Sequence, residues 1–105
     1  MPYEVLIGHP LTLVAKGTLT VSSTAIGIPA SQLDLAKGGD IEVLLGVETD
    51  QIRLSPDTVA ATTTDMLFDA GDKIRVAGPK ICREMTLIRV TNDASVRYWI
   101  FGKAI

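Results

Sequence analysis

The sequence has few of the residues from which catalytic and metal sites are commonly built. It holds one cysteine and one histidine among its 105 residues, and only 5% of its residues are aromatic. A single cysteine excludes an intramolecular disulfide and a four-thiolate zinc site, and it is typical of a reducing compartment. A catalytic zinc or iron site needs two or three imidazoles and a carboxylate, which His9 alone does not supply. We therefore expect no metal and no other cofactor.

The sequence also has no marked excess of positive or of negative residues. Ten Lys and Arg stand against twelve Asp and Glu, for a formal net charge of −2, and the basic residues are scattered singly. A nucleic-acid partner would require a basic footprint, and a membrane span would require about 18 consecutive apolar residues. No charged-then-apolar leader opens the chain. We expect a soluble protein made in the cytosol, with no nucleic-acid or membrane partner and no small-molecule substrate.

The residues that could carry chemistry have simpler interpretations. Cys82 has no base near it in sequence, and in what reads as an extended segment we predict a small buried side chain. Four carboxylates crowd around predicted turns, namely Asp57, Asp65, Asp69 and Asp72. Their spacing matches no calcium loop, and aspartate is a favoured turn residue. We predict no catalytic residue and no enzymatic activity.

Most of the chain reads as short strands bounded by Gly, Pro, Asn and Asp. The predicted strands are residues 3–8, 11–15, 18–22, 40–48, 51–54, 66–68, 73–76, 85–90 and 94–102, with 81–84 leading into the eighth. Lys16 and Gly17 are predicted to break the second from the third. Residues 23–39 are predicted as a loop with one helical turn, capped by Ser31 and ended by Gly38 and Gly39.

This pattern predicts an all-β fold for residues 1–105 as a single domain. No predicted helix is long enough to connect parallel strands, so the sheets should be antiparallel. Seven to nine short strands at this spacing indicate a β-sandwich of jelly-roll-like architecture. Residues 1–19 are predicted to add an N-terminal strand or an arm exchanged between protomers.

The last strand, residues 94–102, raises the main functional question. Side chains alternate across a strand, so Val96, Tyr98 and Ile100 should face the core, while Trp99 and Phe101 share the opposite face. That second face holds the only Trp, so we predict that the N-terminal segment or a neighbouring subunit covers it. The residues predicted to form an interface are Trp99, Phe101, Arg97, Tyr3, Val5, Leu11 and Leu13. An aromatic surface of this kind could instead stack on a sugar.

Six short motifs follow one another along the chain. They are T-V-S-S-T-A-I-G-I at 20–28, V-E-T-D-Q-I-R at 47–53, the looser loop V-A-A-T-T-T at 59–64, F-D-A-G-D-K-I at 68–74, I-R at 88–89 and D-A-S-V at 93–96. In this order they resemble a family of small all-β structural proteins of tailed-phage virions. The chain departs from that family at residues 55–58, where S-P-D-T replaces a D-G turn, and in its first nineteen residues.

The resemblance implies a non-enzymatic structural protein of a tailed bacteriophage. The role it favours is capsid decoration, in which a cement protein stabilises the head through oligomeric contacts. The implied partners are the chain itself, as a dimer or trimer, and the major capsid protein or another virion protein. The implied location is the virion, assembled in the host cytoplasm. The alternatives are a head–tail or tail component, a carbohydrate-binding β-sandwich module and a degenerate metal-dependent enzyme.

Overall fold

A computed structural model describes residues 12–56, 62 and 65–104 of the chain. Its elements are β1 (Thr12–Val21), α1 (Ala30–Leu33), β2 (Ala36–Val47), β3 (Ile52–Ser55), β4 (Met66–Phe68), β5 (Lys73–Ala77), α2 (Pro79–Glu84), β6 (Thr86–Arg89) and β7 (Ala94–Ala104). Neither helix is long or apolar enough to cross a membrane. The strand predicted at residues 3–8, together with His9 and Asp57, lies outside the described residues.

The described strands form two antiparallel sheets that pack face to face. One sheet has the order β1-β7-β2-β5 and the other the order β4-β3-β6. All pairings are antiparallel. The prediction of an antiparallel β-sandwich with seven to nine strands is therefore confirmed, with seven strands in the described part of the chain.

The strand pairings nest inside one another. β1 pairs with β7, β2 with β5, and β3 with β4, as in a long antiparallel ribbon. The remaining pair of the ribbon is a single bridge, in which the Ile26 and Leu87 backbones exchange hydrogen bonds of 2.9 and 2.7 Å. Folding such a ribbon over itself yields the two sheets of a jelly roll. The chain thus has a jelly-roll topology in which one strand is reduced to the bridge at Ile26.

The space between the sheets is filled almost entirely by aliphatic side chains. The inward positions predicted for β2 and β7 are all at most 5% exposed, and they are Ile41, Val43, Leu45, Val47, Val96, Tyr98 and Ile100. Ile52 and Leu54 of β3 and Leu19 and Val21 of β1 are buried as well. Period-2 alternation therefore predicted the core faces of these strands correctly, because the opposite face of each strand points away from the second sheet.

The strand β1 corrects one prediction. It is continuous through Lys16 and Gly17, where a break was predicted, and its irregularity lies between Leu13 and Ala15. The reason is the side chain of Tyr98 on the paired strand. A Cβ atom at Gly17 would lie 2.5 Å from the Tyr98 hydroxyl. The glycine is needed for this close approach and does not end the strand.

The helices correct two more predictions. Residues 79–84 form α2, so Cys82 lies on a helix and not in an extended segment. The helix follows Gly78, whose φ is 110°, and has Pro79 in its first turn, where a proline fits without losing a hydrogen bond. In α1 the residue at the N-cap is Pro29 and no side chain caps the helix, so Ser31 does not have the predicted role. Gly38 and Gly39 do not end a helix but lie within β2.

Gly102 provides a test of the packing between β7 and the irregular start of β2. A Cβ atom at this position would lie 2.6 Å from the Cβ of Ala36 and 3.1 Å from the carbonyl oxygen of Asp40. Because overpacking typically costs about 1–3 kcal/mol, we expect Gly102→Ala to lower the free energy of unfolding by about that amount. Urea denaturation measures this change. An unchanged urea midpoint would show that β7 and the start of β2 can move apart at this position without a loss of stability.

Candidate functional site

The candidate site is the surface of the four-stranded sheet that points away from the core, which we call the outer face. The cross-strand register places Trp99 between Lys16 of β1 and Leu44 of β2, and Phe101 between Leu13 and Glu42. Together with their neighbours, the side chains of the outer face are Leu13, Lys16, Thr18, Glu42, Leu44, Glu48, Lys73, Arg75, Ala77, Arg97, Trp99 and Phe101.

The indole of Trp99 lies beside a glycine on the neighbouring strand. A Cβ atom at Gly46 would lie 3.4 Å from Cζ3 of Trp99 and 3.6 Å from Cδ of Lys73. The ring therefore lies across β2, beside the aliphatic stem of Lys73.

Further apolar side chains surround Trp99. Phe101 and Leu44 are half-buried, and Leu13 is 43% exposed. The sheet thus brings Trp99, Phe101 and Leu13 together on one face, with the exposed Arg97 beside them, as the sequence indicated. The predicted interface residues Tyr3, Val5 and Leu11 lie outside the described residues.

The border of the outer face is charged. Arg97 Nε lies 2.8 Å from Glu48 Oε2, and Arg75 Nε lies 3.6 Å from Glu42 Oε2. Exposed ion pairs of this kind contribute little to stability, but they restrict where the guanidinium groups lie. The four described cations of the face are Lys16, Lys73, Arg75 and Arg97. Two of these cations, Arg97 and Arg75, thus lie beside carboxylates of the same face.

Sequence reasoning identified Arg97 but missed Lys16, Lys73, Arg75 and Leu44. The alternation of β2 places Leu44 outward, yet the pair Leu44 and Leu45 reads as core because both residues are strongly apolar. The cations stand singly in the sequence, and only the pairing of β1, β7, β2 and β5 brings them around Trp99. Their outward positions could have been deduced from period-2 alternation, but their proximity to one another could not.

An open depression lies beside Trp99 near the edge of the sheet. Its volume is about 300 Å³, and it is lined by Lys16, Gly17, Thr18, Arg97, Tyr98 and Trp99. An aromatic ring flanked by two cations and a hydroxyl can receive a sugar or an inserted side chain of a partner. The depression is therefore part of the outer face and not a separate site.

Cys82 is buried, as predicted, and its thiol is not poised for reaction. Only 1% of the residue is exposed, and Sγ lies 3.6 Å from the carbonyl oxygen of Val76. Burial, followed by the nearby Glu42 carboxylate, raises the pKa of the Cys82 thiol from 9.0 to about 11. Because the thiolate is the reactive form, the protonated thiol is inert at neutral pH.

The raised pKa of Cys82 predicts a loss of stability at high pH. Between about pH 9 and pH 11 the unfolded chain releases the thiol proton while the folded chain keeps it. The free energy of unfolding should therefore fall as the pH rises through this window. Cys82→Ala removes the titrating thiol and leaves the other ionisable groups in place. Measured by urea denaturation, the free energy of unfolding of the variant should therefore fall less steeply with rising pH. Equal declines would contradict the assigned pKa.

The predicted turn carboxylates have local structural roles. Asp65 Oδ2 accepts a hydrogen bond of 2.7 Å from the backbone N–H of Thr62, and Asp72 Oδ2 accepts one of 2.8 Å from that of Asp69. Asp69 in turn accepts a hydrogen bond from the Gln51 side chain. Within residues 12–56, 62 and 65–104, no three His, Cys, Asp or Glu side chains are grouped so that they could hold a metal ion.

Several of the motifs on which the resemblance rests meet at one end of the sandwich. There the turns at residues 48–51, 69–72 and 90–93 lie side by side. The Gly71 N–H donates to the Val47 carbonyl over 2.7 Å, and the Ser95 N–H donates to Thr49 Oγ1 over 2.9 Å. Gly71 has a φ of 95°, which glycine adopts without strain. These motif residues therefore hold the turns at this end of the sandwich together.

Comparison with known proteins does not assign the chain to a family. No protein-family model and no characterised protein matches the sequence. The resemblance to phage structural proteins stays a prediction, and the functional argument rests on the outer face. The feature to be explained there is the grouping of Trp99 with Phe101 and Leu44 inside a charged border.

Proposed function

We propose that this protein is a non-enzymatic structural component of a tailed-phage particle, and specifically a capsid decoration protein. In this role it stabilises the head by attaching to it through the outer face. The observation that carries the proposal is the arrangement of Trp99, Phe101 and Leu44 within a border of charged side chains. Protein interfaces have this composition, with aromatic and aliphatic residues at the centre, arginine enriched and a polar rim.

The dimensions of the molecule support the same role. A cement protein has no substrate, and it acts by adding buried area between coat subunits. A specific interface buries about 800 Å² on each partner. The molecule measures 37 × 29 × 19 Å, so a broad face of the sandwich can supply that area. A rigid β-sandwich also presents its face without a large ordering cost.

The direct test is to locate the chain in particles of the phage that encodes it. Mass spectrometry of purified heads and tails, before and after mild stripping, measures whether the chain is present and in which part. A cement protein should be found on heads, should leave them on stripping, and should raise their thermal stability when it is added back. Absence from purified particles would overturn the proposal. Presence on tails alone would favour the alternative of a head–tail or tail component.

The depression beside Trp99 favours a second candidate function. At about 300 Å³ it is of the size of a small ligand site, and it combines an aromatic face with Lys16, Thr18 and Arg97. A carbohydrate-binding β-sandwich would use such a site to stack a sugar on the indole. Saturable quenching of Trp99 fluorescence by mono- and oligosaccharides would support this candidate. Unchanged fluorescence across these sugars would favour the structural role.

A further inference from the structure

We propose that the edge of β1 pairs with β1 of a second copy of this chain. The two strands run antiparallel with their register centred on Thr18, so that two four-stranded sheets join into one sheet of eight strands. The pairing itself does not depend on the proposed function. Only its consequence for attachment to heads rests on that function.

The described strands leave four sheet edges, and three of them are short, charged or covered. β4 has three residues, and β5 has five, of which Lys73 and Arg75 are cations. The outer side of β6 is occupied by the Ile26 bridge and by a hydrogen bond of 3.0 Å that the Arg89 N–H donates to the Ser22 carbonyl. Natural sheets protect their edges in these ways, because unpaired backbone groups attract other strands.

The fourth edge, β1, is ten residues long and contains no proline. In the part of the chain that the structure describes, β1 pairs with β7 alone. Its irregularity lies between Leu13 and Ala15, so residues 15–21 form a regular stretch with one charged side chain, Lys16. A long regular edge of this kind is suited to accept another strand through its backbone groups.

A hairpin with the chain's own N-terminal segment would cover only part of this stretch. If the strand predicted at residues 3–8 paired with β1 through a three-residue loop at 9–11, it would lie opposite residues 12–17. Residues 18–21 of β1 would stay uncovered. A strand of another molecule is needed to pair with the whole regular stretch.

The regular stretch is complementary to itself. Two copies of residues 15–21 that are related by a two-fold axis at Thr18 pair over their whole length, because Thr18 is the middle residue. Thr18 then faces Thr18 of the second copy, and Lys16 faces Thr20, so no like charges are opposed. The same operation on β5 would set Arg75, its middle residue, opposite another Arg75. Self-pairing therefore suits β1 and not β5.

In this dimer the two outer faces point to the same side. A two-fold axis between antiparallel strands of one sheet is perpendicular to the sheet, so it does not exchange the two sides. Three strand spacings, or about 14 Å, separate β7 from β7 of the second copy. Two copies of Trp99 thus reach one partner surface together, and bivalent attachment is tighter than single attachment.

The first test is Thr18→Lys, which places two lysines directly opposite each other at the two-fold axis. Thr18 is exposed, so circular dichroism should match the wild type. Thr91→Lys is the matched control, because it makes the same change at an exposed threonine outside β1. Sedimentation velocity over a series of concentrations should give twice the mass of one chain for the wild type and the control. Thr18→Lys should raise the dimer dissociation constant on the order of tenfold.

Two results of sedimentation would overturn the proposal. One is a wild-type protein with the mass of a single chain at every concentration. The other is a Thr18→Lys variant that dimerises as tightly as the wild type does.

Cysteine substitutions test the register of the pairing. With oxidised glutathione, Thr18→Cys should form a disulfide between two chains, because directly opposite residues have Cα atoms about 4.5–5.5 Å apart. Thr20→Cys alone should not, because its two copies lie four residues, or about 13 Å, apart along the strands. A mixture of Thr20→Cys and Lys16→Cys should form the disulfide. The native Cys82 is buried and does not compete. Equal yields for Thr18→Cys and Thr20→Cys alone would reject the register and the proposal with it.

Binding to stripped heads separates this inference from the proposed function. Trp99→Ala with Phe101→Ala should stay dimeric and lose binding to heads, whereas Thr18→Lys should keep binding but more weakly. If the wild type is monomeric and binds heads through Trp99, the pairing is wrong and the proposed function stands. If the wild type is dimeric through β1 and does not bind heads, the pairing stands and the proposed function is wrong. If association of the free protein requires Trp99, the copies meet through their outer faces and the pairing through β1 is wrong.

Discussion

Replacing Trp99 and Phe101 together with alanine is expected to abolish attachment to stripped heads while the protein stays folded. Aromatic residues at the centre of an interface commonly contribute 2 kcal/mol or more each, and a loss of 1.4 kcal/mol lowers affinity tenfold. We therefore expect the loss of both side chains to lower binding by on the order of several hundred-fold, as measured by cosedimentation with heads. The fold should persist because both side chains lie on the outer face and not between the sheets.

The control for this double variant is Met66→Ala with Leu67→Ala. These two side chains are also apolar and well exposed, but they lie on β4 at the edge of the other sheet. The control removes a comparable amount of apolar surface and should bind heads like the wild type. If the control variant also loses binding, nonspecific association of exposed apolar side chains explains the attachment, and the outer face does not. If the Trp99 and Phe101 variant binds fully, the proposed function loses its main support.

Replacing Leu45 with alanine is expected to cause the largest loss of stability. Leu45 is 0% exposed and lies in the middle of β2 between β7 and β5. Truncation of a buried leucine costs about 2–5 kcal/mol because it removes apolar contacts and leaves a cavity. For a domain of about this size each kcal/mol lowers the melting temperature by roughly 4–8 °C, so the loss should be evident in a thermal scan.

Leu44 provides a matched control one position away. It has the same side chain, lies on the same strand, and points to the outer face beside Trp99. We expect Leu44→Ala to cost much less stability than Leu45→Ala, because a half-buried side chain leaves no closed cavity. The same variant should weaken attachment to heads. Equal losses of stability at the two positions would mean that the outer face of β2 is as tightly packed as the core.

Local pattern was enough to predict the fold class and the core faces of the principal strands. The alternation in V-R-Y-W-I-F correctly assigned Val96, Tyr98 and Ile100 to the interior. The turn at Gly71 was also predictable, because D-A-G-D between β4 and β5 is typical of a tight turn in which glycine adopts a positive φ. Gly71 has such a φ. These features depend on residues that are neighbours in the chain, and so the sequence displays them directly.

The two main errors concern Gly17, where a distant residue decides the local structure, and residues 81–84, where a helix starts just before them. Gly17 continues a strand because the ring of Tyr98 occupies the space of a side chain there. Residues 81–84 are β-compatible in isolation, but after Gly78 and Pro79 the chain forms a helix that buries Cys82 against Val76. At Gly17 a contact made across the fold outweighs a weak local preference, whereas at residues 81–84 the helix start at Gly78 and Pro79 outweighs it.

The sequence by itself determined an all-β fold, the inward side of most strands, and the presence of Trp99 and Phe101 on one face of the last strand. Only the tertiary structure decided which strands become neighbours, and with that which side chains surround the indole. Lys16, Leu44 and Arg75 are far apart in the chain and share one row with Trp99 because β1, β7, β2 and β5 pair in that order. The physical reason is that alternation is a property of one strand, whereas pairing is set by long-range burial and hydrogen bonding.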